Sequence, residues 1–259
     1  MIFVILAHTS PEILQKSLLK LQNENNYFVI HVDIKSNINP FFEITRGISN
    51  CHFTTERYNI EWGTFSIIEA TLHAFDFVRK MIRKKQRIIL LSGTDYPIKP
   101  LKCIFKFFKN EKDTIFMDYE RIPKRDWYEG GINRFPLYNT IKNKISLFGG
   151  SQWFSIPPLA LTIIFDFLKT NSDFFEYYRH VHIPDESFFQ TLFLNCDHPY
   201  ILKNLKNKNL HYIKWTYPNS HPETLTIEDY DDITMSNCLF ARKFDVYYSK
   251  NLIRRLELN

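Results

Sequence analysis

The stretch Ile2–Asp33, IFVILAHTSPEILQKSLLKLQNENNYFVIHVD, decides the fold class. Residues 2–7 are six apolar side chains in a row, the pattern of a strand covered on both faces. His8-Thr9-Ser10-Pro11 follows, with Ser10 placed to cap a helix and Pro11 at its first position. Ile13, Leu14, Ser17, Leu18 and Leu21 recur at helical spacing through 11–22, and Tyr27–Val32 reads as a second strand ending at Asp33. Two strands joined by a crossover helix make the β-α-β unit of an open parallel sheet.

Working outward, a short strand is expected near His52–Thr55 and a helix over 64–84. The strand Arg87–Leu91 then stops at Ser92-Gly93-Thr94-Asp95, before a helix over 101–110 and a strand at Thr114–Met117. Ligands of such sheets collect outside the carboxyl ends of the strands. His8, the pair His31/Asp33, and Ser92 to Asp95 all fall at those ends, so a nucleotide site is expected there. Residues 118–149 are polar and irregular, with Trp127, Tyr128 and Gly130-Gly131, and read as a loop region over a cleft. A helix over 157–170, the turn His182–Glu186 leading into a helix at 185–195, a strand at Leu210–Trp215 and a last helix at 249–257 complete the pattern. No repeat or boundary interrupts it. The expectation is one α/β domain over 1–259 with a mostly parallel central sheet flanked by helices, its donor half about 1–117 and its acceptor and catalytic half about 118–259.

Composition sets outer bounds. A chain of 259 residues, 44% hydrophobic and 24% charged, suffices for one large globular domain. With 24 Phe, 14 Tyr and 4 Trp, the rings either fill the core or line a cleft where they stack on sugar faces. The net charge of +5 is spread along the chain. Its densest run, RKMIRKKQR at 79–87, reads as a helix end or, more sharply, as a contact for anionic lipid. No second basic run accompanies it, so nucleic acid is not an expected partner. Cys51, Cys103, Cys196 and Cys238 form no CxxC pair or metal-ligand spacing and read as buried apolar residues in a reducing compartment. The opening IFVILAH lacks the basic flank and cleavage site of a signal peptide, and the expected location is cytoplasmic, with peripheral membrane contact open.

Several chemistries are excluded by motif. Neither GxGxxG nor GxxxxGK[ST] occurs. Gly149-Gly150-Ser151-Gln152-Trp153 fails GxSxG at its last position. A lone His31-x-Asp33 is too common to mark an iron site, and no Asp-x-Asp stands at a strand end to chelate a metal on a nucleotide. Asp231-Asp232 lies in a polar stretch and reads as solvated surface.

Eight stretches taken together resemble the core-2/I-branching β-1,6-N-acetylglucosaminyltransferases and the related peptide O-xylosyltransferases. They are LAH (6–8), HVDIKS (31–36), WGTFSIIEA (62–70), LLSGTDYPIK (90–99), GSQWF (150–154), PDESFFQT (184–191), WTY (215–217) and FARKFD (240–245). They come in family order over nearly the whole chain, which looks like a compact bacterial member without the animal enzymes' Golgi anchor and cysteine-rich stem. The resemblance implies a GT-A-like fold, a UDP-sugar donor, inversion at the anomeric carbon, and no metal or other cofactor. It maps Leu6 and Asp33 onto uridine contacts, Glu186 onto the catalytic base, Lys243 onto a diphosphate-binding lysine, and Trp215 and Tyr217 onto acceptor-site aromatics. One departure is visible. The segment before FARKFD, where the animal enzymes carry a further diphosphate-binding arginine, has no Arg or Lys, and Arg242 is the nearest replacement.

The same residues admit plainer readings. Asp185 or Glu186 could cap the following helix; Asp33 could order a turn; Asp95 could be a donor-site residue or a turn former. Arg242-Lys243 could be a surface pair, and Trp215 with Tyr217 could belong to the core. At the level of function, the expectation is transfer of a sugar, N-acetylglucosamine first, to a glycan or lipid-linked saccharide. A UDP-xylose or UDP-glucose transferase and a catalytically silent carbohydrate-binding relative are the alternatives.

Overall fold

The structure is a computed structural model that describes residues 1–81, 85–216 and 221–258. The main elements are β1 (Ile2–Ala7), α1 (Pro11–Leu21), β2 (Tyr27–Val32), β3 (Cys51–Phe53), α2 (Ser66–Met81), β4 (Ile88–Ser92), β5 (Tyr96–Pro97), α3 (Leu101–Asn110), β6 (Ile115–Met117), β7 (Ser155–Ile156), α4 (Pro158–Thr170), α5 (Phe188–Asn195), β8 (Leu205–Asn207), β9 (His211–Ile213), β10 (Phe240–Arg242) and α6 (Lys250–Glu257). The chain divides into two compact units. One comprises Met1–Arg57, Ile89–Lys112 and Leu210–Asn259, the other Tyr58–Ile88 and Asp113–Asn209. The fold is mixed α/β with mostly parallel strand pairing and flanking helices.

In the first unit the strand order is β4-β1-β2-β3. β1 and β2 pair in parallel from Ile2 against Tyr27 to Ala7 against Val32, and β2 pairs in parallel with β3. All six residues of β1 are buried, as the uninterrupted apolar run requires. Each large apolar side chain so placed contributes about 1.5–3 kcal/mol. α1 buries Ile13, Leu14, Ser17, Leu18 and Leu21, the stripe read from sequence. Ser10 does not cap it with its side chain. Its residue is left-handed, and its carbonyl instead accepts from the N–H groups of Ile13 and Leu14. A small sheet of order β9-β10-β5, parallel and then antiparallel, packs with α1 and α6 around Ile13, Tyr96, Leu225, Phe244 and Ile253.

In the second unit the order is β8-β6-β7, parallel and then antiparallel. Its core is aromatic, with Phe174, Tyr178, Phe188 and Phe189 in mutual edge and tilted contacts. Most of the phenylalanines are core rings, while most of the described tyrosines and tryptophans are not.

Several boundaries move. The strand expected to 215 ends at Ile213, and the helix expected from 185 is a 3-10 turn, Pro184–Glu186, followed by α5 after Ser187. The segment 118–149 holds a short ladder, Glu120–Arg121 against Phe148–Gly149, and a 3-10 stretch at Tyr128–Arg134. None of the four cysteines is buried: Cys103 is exposed and the others are half-buried, all as free thiols. In the basic run, Arg79 and Lys80 are held by Asp76, while Arg87 is buried against Ser155 and Phe116. Residues 82–84 lie outside the described residues. No helix among the described residues is long and apolar enough to cross a membrane.

Candidate active site

In the first unit the expected residues gather where the sheet strands end. Leu6 is buried on β1, and its carbonyl accepts the N–H of Gly93. Asp33 follows β2 and accepts the N–H of Lys35 at 2.8 Å, an Asx turn, with the Lys35 ammonium 3.7 Å away. Arg57, which carried no sequence signal, fixes that turn. Its guanidinium donates to the carbonyls of Val32, Asp33 and Ser36.

Asp95 is different. Its side chain is 0% exposed. It accepts from the Ser92 N–H at 2.8 Å, the Ser92 hydroxyl and Arg242 Nε at 3.1 Å, and lies 3.3 Å from His211 Nε2. Burial alone would raise its carboxyl. The neighbouring His211 and the Arg242 charge overcome that and hold it below the usual carboxylate range. A carboxylate this saturated has no oxygen left for a ligand, so Asp95 holds Arg242 rather than reaching a donor itself.

β10 thus delivers Arg242 with its Nε tied to Asp95. Lys243 follows directly, half-buried, with its backbone N–H on the Glu223 carbonyl and its carbonyl accepting from Leu225. Both cations act on His8 at the end of β1. The His8 imidazole is pushed down mainly by desolvation, pulled up by Asp33, and pushed down again by Arg242, Lys35 and Lys243. His8, Asp33, Lys35, Arg242 and Lys243 therefore share one electrostatic neighbourhood. Trp215 lies past the end of β9 and is 52% exposed, so it is neither a strand residue nor a core one. Tyr217 lies outside the described residues.

In the second unit Glu186 stands in the Pro184–Glu186 turn. Arg134 Nη1 donates to its Oε2 at 2.7 Å, and 28% of the Glu186 side chain remains exposed. No other side chain among the described residues bonds this carboxylate. The turn is pinned on each side: the Ile183 N–H donates to Gly63, the His182 N–H to Arg134, and the Glu186 carbonyl accepts the Gly150 N–H at 2.8 Å. These bonds draw the WGTF, GSQWF and PDE stretches together. Ile183 adopts a φ of 51°, a left-handed conformation a β-branched residue enters only under such constraint.

Arg134 is itself held. Its guanidinium lies 3.8 Å over the Trp127 ring, and that ring fits against Gly131 and Gly149, where a Cβ at either position would lie 2.5 Å from it. Gly150 is tighter still. A Cβ there would lie 2.1 Å from the Asp118 carbonyl, while Asp118 accepts from the Ser151 N–H. Sequence reading passed over Arg134 because its partner is 52 residues away and no local spacing marks it. The signal available was Gly130-Gly131 beside Trp127, two glycines and a large ring in an otherwise polar segment. Asp231-Asp232 is exposed in the first turn of a short helix.

The profile of the Core-2/I-branching enzymes matches residues 1–238. Human xylosyltransferase 1 is 25% identical over 288 residues, covering 98% of this chain and 30% of its own length. Beta-glucuronosyltransferase GlcAT14A of Arabidopsis thaliana is 24% identical over 259 residues, covering 89% of this chain and 58% of its own length. The chain spans well under two thirds of these curated relatives. The crystal structure of apo mouse xyloside xylosyltransferase 1 overlays on 93% of the chain, with a TM-score of 0.44 and 11% identity. The matched span takes in Leu6, Asp33, Asp95, Glu186 and Trp215 and ends just before β10, which carries Arg242. With a match running from the first strand to residue 238, the chain belongs to the Core-2/I-branching enzyme family.

Proposed function

We propose that the chain is an inverting glycosyltransferase of GT-A-like fold that moves a sugar from a UDP-sugar to an acceptor hydroxyl without a catalytic metal. The observation that carries this reading is Glu186: a partly exposed carboxylate, oriented by one arginine and fixed through its own backbone, with an oxygen left to accept a proton. In the reaction the acceptor O–H gives its proton to Glu186 as the oxygen forms a bond to the anomeric carbon. The bond from that carbon to the diphosphate oxygen breaks with its electron pair, and UDP departs. A base so placed is worth about 10²–10⁴ in rate. Arg242 and Lys243 take the charge that grows on the diphosphate, as preorganised cations do. The Asp95 anchor means Arg242 needs no reorganisation when the donor arrives. Leu6 and Asp33 sit by the uridine, and Trp215 offers a ring to an acceptor sugar.

N-acetylglucosamine is the first donor sugar of this reading, and the acceptor is a glycan or a lipid-linked saccharide. The xylosyltransferase and glucuronosyltransferase names of the relatives favour, as a second reading, UDP-xylose or UDP-glucuronate in its place. A panel of UDP-sugars assayed for turnover with EDTA present tests both the reaction and the donor. One donor should turn over at full rate in chelator. Loss of that turnover with recovery on adding Mn²⁺ would overturn the metal-free step, and no turnover with any donor would favour a binding protein.

A further inference from the structure

We infer that the outer face of α3 is a docking surface for an anionic phospholipid membrane. α3 reads LKCIFKFFKN and contains no acid in ten residues. Ile104 and Phe108 are buried, while Lys102, Lys106 and Lys109 are exposed. At about 100° per residue these three lysines fall within about 60° of one another, opposite the buried pair. Phe105 is half-buried at one border of the lysine stripe, and Phe107 is half-buried beside the buried pair. This is the order of an interfacial helix: cations outward, a ring at the margin, and aliphatic stems able to lie along apolar surface.

The stripe has no counter-charges of its own, whereas Arg79 and Lys80 of α2 both meet Asp76. No such ion pair is found for Lys102, Lys106 or Lys109 among the described residues. Three unneutralised cations on one stripe keep their full attraction for a negative partner. The apolar margin continues past the start of the helix. Pro100, the residue before α3, lines a cavity of about 420 Å³ with Leu19, Tyr96 and Leu256, and two lysines, Lys16 and Lys20, stand at it with one acid, Glu257. Leu19 there is 51% exposed.

A lipid surface fits this better than a nucleic acid. The cations are all lysines, point charges that suit a fluid field of headgroups and lack the fork that grips a fixed phosphate. In the run at 79–87, the other basic candidate, Arg79 and Lys80 pair with Asp76 and Arg87 is buried, which leaves Lys85 as the one exposed cation without an ion pair among its described residues.

The test is flotation of the full chain with vesicles of phosphatidylcholine, alone or mixed with phosphatidylglycerol. Binding should require phosphatidylglycerol and fade with added salt. Changing Lys102, Lys106 and Lys109 together to Gln should weaken it roughly 100-fold, at about fivefold per lysine, while Lys→Arg at all three retains it. Cys103, the exposed cysteine on α3, supplies a second readout: an environment-sensitive fluorophore there should blue-shift with the mixed vesicles. Equal binding to both vesicle types, an unweakened Gln variant, an unmoved fluorophore, or loss confined to single-stranded DNA binding would each overturn the inference.

Discussion

Asp95 meets Arg242 in the first unit at 3.1 Å, with the carboxylate wholly enclosed; Glu186 meets Arg134 in the second at 2.7 Å, with 28% of its side chain exposed. The residue types are alike, and the difference lies in what else touches the acid. Asp95 is met by three donor groups from Ser92 and Arg242, with His211 3.3 Å away, whereas Glu186 has one side-chain partner among the described residues. A saturated carboxylate can only hold its neighbours in place. A singly bonded, partly exposed one is oriented yet able to take a proton. Burial and partner count therefore separate the two roles where charge alone does not.

The comparison breaks first at Glu186. Glu186→Gln keeps the shape and the Arg134 contact but removes the proposed base, and should lower turnover about 10³-fold with UDP affinity by calorimetry unchanged. Turnover near the parent rate would move the base elsewhere. Asp95→Ala should act oppositely, through the fold. Removing one member of a buried pair strands the other, and urea unfolding should show a loss of about 3 kcal/mol together with weaker UDP binding. Unchanged stability would mean that Arg242 needs no anchor.

Arg134→Ala sharpens the contrast. Its pair is partly exposed, so stability should change by less than about 1 kcal/mol. The freed Glu186 should lose roughly tenfold in kcat as its aim broadens, with donor KM unchanged and partial rescue by Arg134→Lys. A fall in donor affinity instead would place Arg134 in donor binding. The smallest effect concerns acid. Because Asp95 is held below its ordinary value, the unfolded chain takes up its proton first as pH falls. Its stabilisation is complete above about pH 4 and drains away below. The stability gap between the parent and Asp95→Asn, followed by urea midpoints, should therefore narrow on acidification; a constant gap would deny the depressed carboxyl.

Much of the first unit was legible because its elements are fixed locally. The run 2–7, the stripe from Ile13 to Leu21 and the Pro11 start specify strand and helix within a few residues. α3 appears at its expected bounds for the same reason. Glu186 was reachable only through the PDE stretch and its resemblance, since a loop-to-helix acid has a capping reading of equal merit. Arg134 and Arg57 stayed hidden because long-range pairing leaves no periodic trace. Asp95 was visible as a strand-end acid, yet its saturation depends on His211 and Arg242, more than a hundred residues away. Trp215 was expected on a strand; β9 ends at Ile213, and the chain leaves the sheet before the ring is reached.

The close approach of Gly150 to Asp118 ties off residues 119–149 like the neck of a bag. With the neck sealed by a backbone contact and the short Glu120–Arg121 ladder, the distance from Asp118 to the carbonyl that anchors Glu186 no longer depends on how much chain lies between. Insertions near the exposed Lys142–Lys144 tip can lengthen this loop without displacing Glu186. A scaffold of that kind can vary its outer surface while the Glu186 turn stays in place.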